Sequence, residues 1–119
     1  MSDTPVVDRA ALERLKEWGG DSLPGKMIDI FLVHAPERMT QIKQGLASGV
    51  ARTAEAGAHS MKSSAGNVGA LRLQGLLEQA ERLAEEGRMG DLGVLLPELE
   101  AALDLACREL RTLREEVKG

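Results

Sequence analysis

The stretch DLGVLLPELEAALDLACRELRTLREEV, residues 91–117, decides the fold. Within it Leu92, Leu96, Leu99, Leu103, Ala106, Leu110, Leu113 and Val117 recur at alternating steps of four and three, the seam of a helix packed in a bundle. Gly90 and Asp91 open this helix, and Pro97 is expected to kink its first turns. Upstream, Leu73, Leu76, Leu77, Ala80, Leu83 and Ala84 form a second apolar stripe that stops at Gly87. A third stripe starts after Ser22 and Pro24 and runs through Ile28, Phe31, Leu32, Ala35, Met39, Ile42 and Leu46. Pro36 lies inside it, so a kink or two stacked pieces are expected there. Ser48 and Gly49 mark the next break.

Asp8 suits an N-cap before a short amphipathic segment with Leu12, Leu15 and Trp18 on one side, stopped by Gly19 and Gly20. Short loops between long helices imply antiparallel neighbours. The expectation is an all-α protein: one domain over 1–119, with an antiparallel up-down four-helix bundle over about 22–117 and an additional N-terminal helix over about 8–18.

Composition agrees and narrows the function. Hydrophobic residues make up 43% of the 119 and charged residues 29%, the balance of an ordinary globule. With one Trp, one Phe and no Tyr, the core must be filled by Leu, Ala, Val, Ile and Met, which suits packed helices. A formal net charge of −4 and the lack of a basic block argue against nucleic acid as a partner, and the scarcity of rings removes a base-stacking platform. Cys107 is the single cysteine, so no disulfide framework or Cys-rich metal site is expected, and it reads as a small core residue. No apolar run approaches the roughly 20 residues of a membrane span, and the first residues lack the pattern of a signal peptide. The expected compartment is the cytoplasm.

The segment from Val50 to Ala65 or Gly66 carries the chemistry. At about 100° per residue, Val50, Ala54, Ala58, Met61, Ala65 and Val68 gather into a core stripe of mostly small side chains. His59 points nearly the opposite way, sharing its face with Arg52, Glu55, Ala56, Lys62, Ser63 and Gly66. Asn67 and Gly69 suit a tight turn, since both tolerate positive φ. An exposed imidazole offers a nitrogen lone pair near neutral pH and accepts a phosphoryl group without strong activation. Lys62, one turn on, would offset the charge of the phosphoryl oxygens, and Ser63 could donate a hydrogen bond to them. His34, Cys107 and the Glu/Arg run from Glu78 to Arg88 read as structural or solvated positions. His34 and His59 lack further ligands at metal-binding spacing.

The run HSMKSSAGNVGA, His59 to Ala70, closely resembles the signature of bacterial histidine phosphotransfer domains. Ala58 fits as well, and so do Phe31-Leu32 and Ala35-Pro36-Glu37 in the second helix; the resemblance extends from about Leu12 to the last helix. It implies a phosphorelay carrier that takes a phosphoryl group from a receiver-domain aspartate on His59, on the outward ring nitrogen, and passes it to another receiver. Lys62 would assist electrostatically, Ser63 stands where many members have Gly, and Gly66 stands where Ala is more usual. Arg52, Glu55, Ala56 and Gly66 would form the partner-docking face. The resemblance implies no cofactor, with Mg needed only in the partner receiver, no ATP-dependent kinase activity of its own, and a monomer. The alternative is an interaction module of the same fold that binds a kinase or receiver without being phosphorylated. A hydrolase using His59 as general base would need a pocket and an orienting acid that the flat face does not suggest.

Overall fold

The computed structural model describes residues 4–117. Five helices follow one another: α1 (Arg9–Gly19), α2 (Leu23–Ser48), α3 (Ala51–Asn67), α4 (Leu71–Glu85) and α5 (Met89–Glu116), with no strand among the described residues. Local chemistry sets their ends. The Asp8 carboxylate accepts the Ala10 N–H at 3.1 Å and so caps α1. Gly49, Gly69 and Gly87 take φ of 71°, 77° and 73° after α2, α3 and α4, the left-handed conformation in which glycine carries no Cβ penalty.

Helix α3 packs extensively on α2 and on α4, and α5 closes the ring against both α4 and α2. Connections of two or three residues make the sequential helices α2 to α5 antiparallel. α1 lies outside the ring against α2 and is tied to the α3–α4 turn, where the Asp8 N–H donates to the Gly69 carbonyl at 2.7 Å. The core draws on every helix, with Leu15, Phe31, Ile42, Met61, Leu77 and Leu110 among its buried side chains, and no buried residue is polar or charged among those described.

Small residues bring α3 close to α2. A Cβ on Gly45 would lie 2.6 Å from the Ala54 backbone nitrogen, and one on Gly57 would lie 3.0 Å from the Arg38 carbonyl oxygen. At the far end Arg114 spans from α5 to α2, its Nε and Nη2 donating to the two Asp29 oxygens at 2.9 and 3.1 Å. Buried Gly25 leaves room for that guanidinium, since a Cβ there would sit 2.7 Å from Arg114 Nη1.

Five expectations need correction. Trp18 is 78% exposed. The helical wheel sets it only about 20° from buried Ala11, but it stands in the last turn of a helix outside the ring, with nothing there to cover it. Val50 is 46% exposed because it is the extended residue that caps α3, outside the helix whose wheel assigned it to the core. α2 is one continuous helix through Pro36, which removes the two-piece alternative of the expected kink or break. Asn67 is the last residue of α3, and only Gly69 supplies positive φ at that turn. α5 also begins one residue early, at Met89, and Val117 is its extended cap.

Candidate functional site

α3 projects His59 from its middle, on the side away from Ala58 and Met61, with the side chain 63% exposed. The ring nevertheless has a partner. Its Nδ1 lies 2.7 Å from Oε2 of Glu81 on α4, and Oε1 of the same carboxylate lies 2.6 Å from Lys62 Nζ. Glu81 thus spans both residues, one oxygen for each, and its side chain is only 13% exposed. Burial opposes its ionisation, but the hydrogen bonds from Lys62 and His59 outweigh that and hold the carboxyl below its ordinary range. The same hydrogen bond raises Lys62 against its own partial burial, and the nearby Glu78 and Glu85 carboxylates add to the rise.

The ionised carboxylate only accepts, so Nδ1 is the nitrogen that carries the ring proton and donates it to Glu81. The neutral ring then has its lone pair on Nε2, and among the described residues no hydrogen bond reaches that atom. An exposed ring nitrogen with a free lone pair, on an imidazole held from behind through its other nitrogen, is what the site offers chemically.

The remaining expected residues divide into two groups. Ala56 and Ser63 are exposed beside His59, Arg52 is exposed toward the start of α3, and Glu55 is half-buried. Lys62 and Gly66 instead turn toward α4: Lys62 onto Glu81, and Gly66 onto Gln74, whose Nε2 would lie 2.5 Å from a Cβ at position 66. Gly66 is therefore the space into which the Gln74 amide folds, not an open part of the face. On the other flank, a groove between α2 and α3 is lined by Ile30, His34, Arg38, Ser60, Met61 and Ser64. There His34 is exposed and bonded through Nδ1 to Glu37 at 2.9 Å, one turn along its own helix.

Glu81 is the residue that sequence reasoning missed. It belongs to a run of acidic and basic residues that reads as a solvated face, and only Glu81 of that run is bonded to α3, while Glu78 is 61% exposed and pairs with Arg82. A faint signal was available: Glu81 follows Leu77 by four and Ala80 by one, at the edge of the apolar stripe. Cys107 is buried, and burial pushes its thiol up, away from nucleophilic use. Among the described residues no three His, Cys, Asp or Glu side chains converge as metal ligands, and no helix is long and apolar enough to cross a membrane.

No curated protein matches the sequence. A crystal structure of histidine-containing phosphotransfer protein B from Pseudomonas aeruginosa superposes with a TM-score of 0.88 at 25% identity, over 98% of this chain and 100% of that one. The Hpt domain family matches residues 26–116, which hold four of the five helices nearly complete and both His59 and Glu81. The chain belongs to the Hpt domain family, the histidine phosphotransfer modules of phosphorelays.

Proposed function

We propose that His59 is the phosphoryl carrier of this chain: Nε2 takes the group from a receiver-domain aspartyl phosphate and returns it to the aspartate of another receiver. The observation that carries this is the 2.7 Å hydrogen bond from Nδ1 to Glu81, which leaves the lone pair of a 63% exposed ring on Nε2. A solvent-facing nucleophile without a pocket suits a carrier whose partner brings the rest of the active site, including the metal. The chain itself then needs no cofactor and performs no ATP-dependent step. Lys62, its ammonium bonded to the same carboxylate as the ring, lends charge to the phosphoryl oxygens once the group is on Nε2, and Ser63 offers a hydroxyl one residue on.

The face around the ring is built for approach. Ala56 and Ser63 are small and exposed, and the α2–α3 groove brings Ile30, 50% exposed, alongside the half-buried Ser60 next to His59. Val33, 62% exposed on the same helix, extends the apolar edge. We assign docking of a monomer on a receiver to this surface, with Arg52 and Glu55 at its margin and Gly66 excluded by Gln74. A cytoplasmic location, without nucleic acid or membrane as partner, completes the reading.

The test is incubation of the purified chain with phosphorylated receivers and Mg. Acid-labile, base-stable label on the wild type and none on His59→Gln is expected. Label retained by His59→Gln would overturn the assignment, and binding without any label would make the chain an interaction module.

A further inference from the structure

We propose that Gln74 is a specificity-determining residue for receiver docking: its side-chain amide, seated over Gly66, pairs with a peptide group at the edge of the receiver and selects receivers that offer one there. The inference rests on His59 as carrier and deepens it, because it concerns which receivers the carrier serves.

Gly66 follows His59 by seven residues on α3, so the two point within about 20° of each other and lie about 10.5 Å apart along the helix axis. No side chain leaves α3 at Gly66. The amide of Gln74, reaching over from α4, occupies that place instead: a Cβ on Gly66 would stand 2.5 Å from its Nε2, 3.2 Å from its Cδ and 3.7 Å from its Oε1. Even a small docking footprint of about 600 Å² per partner extends roughly 14 Å from its centre, so a receiver centred on the His59 ring covers Gln74.

The amide is half-buried, yet among the described residues no hydrogen bond reaches its oxygen or its nitrogen. Polar side chains elsewhere around the ring are already paired. Lys62 is bonded to Glu81, Ser64 donates to the Ser60 carbonyl, and His34 is bonded to Glu37. Neither amide atom of Gln74 is sealed from solvent, so water serves both in the free protein. A docked receiver strips that water away. An uncharged amide presents a donor and an acceptor side by side, which matches a peptide N–H and C=O rather than an ion. A receiver with such a group at this edge restores both bonds. One with an apolar side chain there leaves donor and acceptor unmet, at a cost of roughly tenfold in affinity. The seat over Gly66 holds the amide in place beforehand, so little side-chain freedom is lost on docking.

The test compares the wild type, Gln74→Ala, Gly66→Ala and the double variant against one panel of purified receiver domains. Kd is measured by calorimetry, and the transfer rate is measured at saturating receiver. Gln74→Ala is expected to weaken the tightest receiver about tenfold and to leave the weakest within about twofold, with the loss in Kd and not in the saturated rate. Gly66→Ala displaces the amide from its seat, so it should reproduce that loss and add nothing to it in the double variant. Unchanged affinity ratios across the panel in Gln74→Ala would overturn the proposal, and so would a uniform loss, which is what a merely structural role produces. A further loss from Gly66→Ala in the double variant would also overturn it, because Gly66 would then meet the receiver itself. Phosphoramidate, a small phosphoryl donor that loses ammonia, checks the underlying reading without a partner: a wild type that it leaves unlabelled on His59 would overturn the carrier assignment instead.

Discussion

Gly45 and Gly75 both lie inside helices, yet replacing each by alanine should move stability in opposite directions. Alanine in place of a helical glycine gains about 1 kcal/mol of helix propensity. At Gly75, exposed on α4, a Cβ meets nothing within 4 Å, so the whole gain is expected. At Gly45 the Cβ would stand 2.6 Å from the Ala54 nitrogen, 2.9 Å from its Cβ and 3.0 Å from its Cα. Ordinary contacts are about 3.5–4.0 Å, so α3 must retreat by roughly 1 Å, and no side-chain rotation can relieve a clash with backbone. Overpacking of this kind costs about 1–3 kcal/mol, which leaves a net loss of about 1 kcal/mol after the propensity gain. Gly45→Val, with more bulk and less propensity gain, should lose about 3 kcal/mol. For a chain of this size about 1 kcal/mol moves Tm by roughly 4 °C, so Gly75→Ala and Gly45→Ala should melt about 8 °C apart. Thermal and urea unfolding followed by circular dichroism measure this. If Gly45→Ala melts as high as Gly75→Ala, the close α2–α3 approach is wrong, and with it the placement of the small-residue stripe beneath His59.

Ala56→Trp should fold within about 0.5 kcal/mol of the wild type, since the position is exposed, but transfer with a receiver should fall at least roughly tenfold by steric exclusion; native rates would mean the docking face lies elsewhere. Lys62→Ala should slow labelling by roughly three- to tenfold without abolishing it, because the lysine is bonded to Glu81 and, in the proposed reading, offsets phosphoryl charge while His59 is the nucleophile; complete loss, as in His59→Gln, would contradict that division. The pH dependence of stability has a definite sign. Glu81 is depressed below its ordinary 4.5, so its contribution is present above that pH and is lost as pH falls through the lower folded value. Lys62 is raised above 10.5, so its contribution is present below that pH and is lost as pH rises through the higher folded value. Urea midpoints of Glu81→Gln should accordingly fall less steeply below about pH 4.5 than those of the wild type; parallel acid limbs would show that the bridge contributes nothing to folding.

By itself the sequence determined the helical class, the four apolar stripes, their order and the outward direction of His59, because each depends on spacing along a single helix. The steps of four and three from Leu92 to Leu113 needed no partner to be legible, nor did the glycines that end α2, α3 and α4. Periodicity states which way a side chain points, not what stands opposite. Trp18 shares a direction with buried Ala11 and is exposed because no helix covers that last turn. Gly66 shares a face with His59 and is occupied by the amide of Gln74. Glu81 lies 22 residues beyond His59, in a charged run where no local rule separates it from Glu78 or Glu85. Only the packing of α4 on α3 decided which carboxylate would meet the imidazole, and that contact turns a surface histidine into one whose tautomer is set.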